Sequence, residues 1–195
     1  MASSLSDAEL MFALKEGRVE AFDELVARYQ TRLVNFYFHR SWDRHLAEDC
    51  AQEVFIRVYS HADTYEPRTK FTTYLFKIAH HYWIDRWRAR RETTSLDADP
   101  DGGAGPLGDR LDGGVAPPDR EAGRRETAER VRRAIDRLPE EQRAVVLLSE
   151  LQGLKYDEIS EILGVPVGTV KSRMFAAVHR LKDLLAKSWS EVEGA

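Results

Sequence analysis

Apolar residues recur along this chain at spacings of three and four, and no stretch of useful length alternates every second residue. Ala47, Cys50, Ala51, Val54 and Val58 form one such stripe in "AEDCAQEVFIRVY". The same spacing returns near the C-terminus. Pro139 and Glu140 open a helix, Val145, Val146, Leu148 and Leu151 supply its apolar side, and Gly153 ends it. A short run, "YDEISEIL", turns Ile159, Ile162 and Leu163 inward, and Gly164 stops it. Pro166 then helps to start a helix with Val170, Met174, Ala177, Val178, Leu181, Leu184 and Leu185 on one arc. Its opposite arc holds Thr169, Ser172, Phe175, Ala176 and His179, with Lys171, Arg173 and Arg180 on the flanks. Two helices joined by a turn of a few residues form the unit that lays its second helix in a DNA major groove. An ordinary helical hairpin with a solvated face is the competing reading of the same pattern.

Between residues 92 and 123 the periodicity fails. This segment is rich in Gly, Pro and Asp and cannot bury enough apolar surface to fold alone. The expected architecture is therefore all-α. Two small helical domains, residues 1–91 and 124–195, are joined by a flexible linker over 92–123, and the second contains a helix-turn-helix. The residues before Asp7 carry no structural signal.

Charge sharpens this picture. The net charge of -4 conceals strong segregation. Residues 68–91 hold seven Lys or Arg against Asp85 alone, whereas residues 92–123 hold eight acids against Arg110 and Arg120. In "YEPRTKFTTYLFKIAHHYWIDRWRARR" the cations are threaded among Tyr65, Phe71, Tyr74, Phe76, Tyr82, Trp83 and Trp87. That mixture suits unpaired nucleic acid, whose bases stack on rings while phosphates meet Lys and Arg. Phe76, Ile78, Ala79 and Trp83 also fit a core. On the preceding helix Glu48, Asp49, Gln52 and Glu53 project away from the apolar stripe. They would serve as a docking face for a basic partner, as a metal pair through Asp49 and Glu53, or as a solvated surface. Metal is disfavoured, because helical carboxylate sites recruit Glu-x-x-His pairs that this chain lacks. His80 and His81 are adjacent and point to different sides of a helix. Cys50 is the sole cysteine, which excludes an intrachain disulfide and fits a reducing compartment. No run approaches the roughly 20 apolar residues of a membrane span, and the N-terminus lacks a secretory pattern.

Taken in order, "AFDELVARYQTRLVNFYFHR", "AEDCAQEVFIRVY", "FTTYLFKIAHHYWIDRWRARR" and "LPEEQRAVVLLSELQGLKYDEISEILGVPVGTVKSRM" resemble the extracytoplasmic-function sigma factors. These are small bacterial transcription initiation factors with two helical domains. The resemblance covers roughly residues 18–91 and 124–187. It implies docking on core RNA polymerase, through the β′ clamp helices and the β subunit, with Asp49, Gln52, Glu53 and Phe55 at the clamp-binding positions. It implies capture and melting of the minus-ten strand by Tyr65, Arg68, Lys70, Phe71, Tyr74, Lys77, His81 and Arg86. It implies reading of minus-thirty-five duplex by Thr169, Lys171, Ser172, Arg173, Phe175 and His179, with Arg143 on the backbone. The linker would run near the active-site and RNA-exit channels of the polymerase. Promoter DNA and an anti-sigma factor are the further implied partners. The implied protein is cytoplasmic, monomeric when free, not inserted in a membrane, without catalytic residues, metal or cofactor.

Five positions depart from the family pattern. Tyr74 stands where Trp is usual, His81 where Asn is frequent, and Lys155 where Ser or Thr would cap a helix. Ala176 and Val178 replace residues that are commonly Arg. The outward position of Ala176 puts the weight of base reading on the first turn and on Phe175 and His179. Val178, at the edge of the apolar arc, is expected to contribute packing instead.

Overall fold

A computed structural model describes residues 5–94 and 118–193, with side chains over 5–90 and 126–187. The described residues form eight α-helices: α1 (Asp7–Lys15), α2 (Glu20–Ser41), α3 (Arg44–Ser60), α4 (Phe71–Thr94), α5 (Pro118–Asp136), α6 (Glu140–Val146), α7 (Tyr156–Leu163) and α8 (Val167–Glu193). There is no strand among them. Helix reaches into both ends of the segment read as linker, and its middle, residues 95–117, lies outside the described residues.

Local chemistry sets the helix boundaries. Ser6 starts α1 with a capping box: its backbone N–H donates to Glu9 Oε2 at 2.7 Å, and the Glu9 N–H donates to Ser6 Oγ at 3.3 Å. Asp43 caps α3 by accepting from the Leu46 N–H at 3.0 Å. At α7 the Lys155 side chain cannot accept a hydrogen bond. Half of a capping box remains, because Glu158 Oε2 accepts the Lys155 N–H at 2.8 Å. α6 does not run on as a regular helix to Gly153. It widens into a π turn over Leu147–Leu151. A wider turn rotates the residues that follow, so Leu151, expected on the apolar side, is exposed.

The apolar stripes pack as their spacing requires. Ala47, Cys50, Ala51, Val54 and Val58 are all buried where α3 lies on α2. Burial pushes the Cys50 thiol up to about 11, which keeps it an unreactive core side chain. Tyr37, Phe36 and Phe76 are the largest fully buried side chains, and the Tyr37 hydroxyl donates to the Ala79 carbonyl at 2.9 Å. In the C-terminal half Ile159, Ile162, Val170, Met174 and Ala177 close the angle between α7 and α8. Val178 contradicts its expected packing role: it is 52% exposed. It lies 80° around the helix from Val170 at 100° per residue, beyond the reach of α6 and α7.

The two helical halves touch. α4 packs along α7, and the core runs continuously from α1–α4 into α6–α8. Trp42, the only described non-glycine residue with positive φ, ends α2 at φ 55°. A bulky side chain rarely adopts that backbone conformation.

Candidate nucleic-acid and polymerase interface

Three surfaces carry the residues singled out by sequence. The first is the outer face of α3. Asp49 and Gln52 are exposed, and Glu53 is half-exposed and paired with Arg57 Nε at 3.1 Å, one turn along. Phe55 is not on this surface. It is buried, with its ring 6.1 Å from Phe22 of α2 in an edge-on contact. Ile56 and Tyr59 are exposed instead, at 54% and 48%. They continue the face by one turn beyond Gln52 and Glu53. Their signal in the sequence was an i, i+4, i+7 progression from Gln52 that the acidic residues masked.

The second surface runs along α4 and the loop before it. Phe71 is buried against Tyr29, with ring centroids 5.2 Å apart, and Tyr65 is buried 5.1 Å from the Tyr74 ring. Neither offers a face for base stacking in this arrangement. The aromatic density is therefore mostly core: Tyr65, Phe71, Phe76 and Trp83 are buried and Tyr74 is half-buried. Arg68, Lys77, His81 and Arg86 are exposed. Lys70 reaches Glu158 of α7 at 2.9 Å, and that hydrogen bond is the main reason the Glu158 carboxyl lies below its usual range.

His80 faces inward beside these residues. Its Nδ1 lies 3.4 Å from Arg40 Nη2, an arrangement that suits a neutral ring accepting from the guanidinium. Burial pulls His80 down to about 3, with Arg40, His81 and Arg173 adding to the effect. The unfolded chain binds this proton near pH 6.5 whereas the folded one does not. Folding stability is thus full above pH 6.5 and declines as pH falls toward 3. Burial lowers His39 as well, in the same sense. Below about pH 4.5 protonation of Glu9 and Glu158 adds to the loss. His80→Gln is expected to remove a slope of up to about 1.4 kcal/mol per pH unit between pH 6 and 4. Urea denaturation across that range checks it, and an unchanged slope would refute the neutral-ring assignment.

The third surface is the outward side of α8. Gly164 (φ 64°) takes the left-handed conformation that ends α7, and Ser160 Oγ donates to the Val165 carbonyl at 2.6 Å across the turn. Lys171 and Ser172 are exposed on the first turns, and Thr169 is half-exposed. Phe175 is 66% exposed and lies 4.0 Å, centroid to centroid, from the exposed His179 ring. Ala176 is half-buried beside them. Arg173 is drawn to Glu141 at 2.7 Å. Arg143 serves the fold: its Nη2 donates to the Asp136 carbonyl at 2.6 Å, closing the chain between α5 and α6.

Among the described residues, no three or more His, Cys, Asp or Glu side chains converge as a metal site, and no helix is long and apolar enough to cross a membrane. Among the described residues, an all-helical fold thus carries an acidic helix face, a basic helix and an outward-facing helix-turn-helix. Residues 25–93 match the model of sigma-70 region 2, and residues 128–181 match that of sigma-70 region 4. The ECF RNA polymerase sigma factor SigW of Bacillus subtilis is 35% identical over 176 residues, spanning 89% of this chain and 91% of that protein. Two solved structures share the fold. CnrH in complex with the cytosolic domain of CnrY has a TM-score of 0.69 at 24% identity, covering 93% of this chain and 97% of that one. The sigma factor RpoE in complex with the anti-sigma factor NepR, from Bartonella quintana, has a TM-score of 0.66 at 23% identity, covering 86% and 98%. The chain belongs to the ECF family of RNA polymerase sigma factors.

Proposed function

We propose that this sigma factor divides its task among the three surfaces. The outer face of α3 docks on the β′ clamp helices through Asp49, Gln52 and Glu53, extended by Ile56 and Tyr59, with Phe55 shaping the face from beneath. The α4 surface holds the melted minus-ten strand through Lys70, Tyr74, Lys77, His81 and Arg86. Lys and Arg there meet phosphates, and contacts to the extruded base offset an unpairing cost of a few kcal/mol. Tyr65 and Phe71 hold that surface in shape from beneath. The α7–α8 unit reads the minus-thirty-five duplex, with Thr169, Lys171 and Ser172 at the base edges and Phe175 and His179 further along the groove. The protein works in the cytoplasm and performs no chemistry of its own. An anti-sigma partner, of the kind bound to the structurally similar RpoE, would hold it inactive.

The observation that carries this reading is the exposure of Lys171, Ser172 and Phe175 on one side of α8 while Val170, Met174 and Ala177 are buried on the other. The test is transcription by core RNA polymerase, with and without this protein, on a library of promoter fragments. Specific transcripts only in its presence support the proposal. Silence from every fragment, with tight duplex binding by the protein alone, would overturn it in favour of a conventional helix-turn-helix regulator.

Ala176→Arg probes the groove face directly. One added phosphate contact is expected to strengthen duplex binding and steepen the dependence of log affinity on log salt by about 0.9. A salt titration of duplex binding by fluorescence anisotropy reads both. No change in either would mean that this side of α8 never reaches the groove.

A further inference from the structure

α1 belongs to none of the three surfaces assigned above, yet its first residue is tied to the minus-ten one. The Asp7 side chain is 28% exposed and divides its carboxylate between two neighbours on α2. Oδ1 accepts from Arg28 Nη1 at 2.8 Å, and Oδ2 accepts from the Tyr29 hydroxyl. Arg28 Nη2 also donates to the Leu5 carbonyl at 2.7 Å and pairs with Glu24. Hydrogen bonds to an ionised carboxylate are stronger than those between neutral groups. Burial first, and then the bond to Asp7, raise the Tyr29 hydroxyl above its ordinary range, so it stays a donor.

Tyr29 passes the restraint on. It is buried and stands edge-on to Phe71, the first residue of α4, with ring centroids 5.2 Å apart. Phe71 in turn lies 6.1 Å from the Tyr74 ring and 6.3 Å from that of Tyr65, and Tyr65 and Tyr74 are 5.1 Å apart. Tyr65 also follows directly on the turn Ala62–Thr64, against which α1 packs. Tyr65 and Phe71 thus bracket residues 66–70, which carry the exposed Arg68 and Lys70. The Tyr65 hydroxyl is buried with no hydrogen-bond partner. Such a group gains by swinging out to water. Packing has to hold the ring in, and that packing leads back through Phe71 to Tyr29 and Asp7.

We infer that Asp7 is a positioning residue for the minus-ten strand. It fixes Tyr29, Tyr29 backs Phe71, and Phe71 sets Tyr65 and the half-buried Tyr74, so that α1 governs how well the α4 surface grips unpaired DNA. The inference rests on the assignment of the melted strand to that surface. A binding constellation works when neighbours lock its side chains to within about 0.5 Å of the productive geometry. Asp7 supplies such a lock through Tyr29 and needs no contact with DNA itself. Neither residue lies on the outer face of α3 or the outward side of α8, so docking and duplex reading are left alone when they are changed.

Holoenzyme assembled from core RNA polymerase and the full-length protein tests the brace. The probe is a fluorescent single strand carrying the non-template minus-ten sequence of a promoter found in the transcription test. Asp7→Asn keeps the side-chain shape and removes the charge. It is expected to weaken strand binding about fivefold, with affinity for core polymerase unchanged. Tyr29→Phe removes only the hydroxyl and should shift strand binding the same way by less, which keeps the test decisive if Asp7→Asn disturbs α1. Met11→Ala is the control for a merely structural role: Met11 is fully buried on α1, so the change should lower the urea midpoint and leave strand affinity where it was. Strand affinity unaltered by both Asp7→Asn and Tyr29→Phe overturns the brace, as does an equal loss in Met11→Ala or a parallel loss of core affinity. Lys77→Ala separates this failure from that of the α4 assignment. If it weakens strand binding while Asp7→Asn does not, the brace alone falls. If it too leaves strand binding unchanged, the strand does not lie on α4 and the assignment falls with the brace.

Discussion

Glu53→Arg is expected to abolish assembly with core RNA polymerase while leaving the fold unchanged. Glu53 is on the outer face of α3, in line with Asp49 and Gln52 and away from the buried stripe. In the free protein it touches Arg57 at 3.1 Å, and both side chains are 38% exposed. Such a pair contributes little, roughly 0.3–0.5 kcal/mol on a helix. Reversal to Arg sets two like charges one turn apart, a penalty of about 0.2–0.5 kcal/mol. The fold tolerates that easily. Against a basic partner the same change replaces attraction by like-charge contact, which costs several kcal/mol at an interface. Each 1.4 kcal/mol is about a tenfold change in affinity, so the loss should exceed a hundredfold. Competition of the variant with labelled wild-type protein for core polymerase measures it, with circular dichroism as the control for folding. Undiminished binding would sink the docking assignment. Ile56→Ala on the same face should weaken binding by less, because it removes contact area without introducing repulsion.

The stripes on α3, α7 and α8 were readable because a single helix fixes which residues share its face. Ala47, Cys50, Ala51, Val54 and Val58 are buried as their spacing demands, and so are Ile159, Ile162, Val170, Met174 and Ala177. Residues at stripe edges were not readable, because a neighbouring helix decides them. Phe55 turns inward because Phe22 of α2 is there to receive it, while Ile56, one residue on, faces out. Val178 stays exposed because, among the described residues, no helix covers that flank of α8. The candidate sites divide the same way. Lys171, Ser172, Phe175 and His179 stand outward as expected, since nothing beyond their own helix was needed to place them. Tyr65 and Phe71 looked like a stacking platform among cations, but Tyr29 and Tyr74 pack against their rings. Least legible was the contact between Arg40 and Glu140. It joins residues far apart in the chain, and neither carries a local pattern that names the other.

Phe76→Ala should be the most damaging single change on α4, costing about 3–5 kcal/mol of folding stability. Its position separates the two readings of the aromatic segment. A ring held out for nucleic acid could be truncated with little effect on folding. Phe76 is instead fully buried, edge-on to Phe36 with ring centroids 5.3 Å apart. The Arg32 guanidinium lies 5.5 Å from the Phe76 centroid, and Arg32 in turn bonds Gln152 of the second domain. Truncation therefore empties a close-packed site and also withdraws the support beneath one interdomain contact. Native domains are stable by about 5–15 kcal/mol, so the loss takes up a large share of that margin. Lys77 is the internal control: it is the next residue on the same helix, exposed, and expected to change stability by no more than about 0.5 kcal/mol when replaced by Ala. Paired urea denaturations of the two variants decide the matter. A small effect of Phe76→Ala would return that ring to the strand-binding surface, and with it the reading of α4 as a stacking platform. A large one, with Lys77→Ala neutral, assigns Phe76 to the core and leaves the exposed Lys77, His81 and Arg86 and the half-buried Tyr74 as the α4 groups of the proposed strand-binding surface.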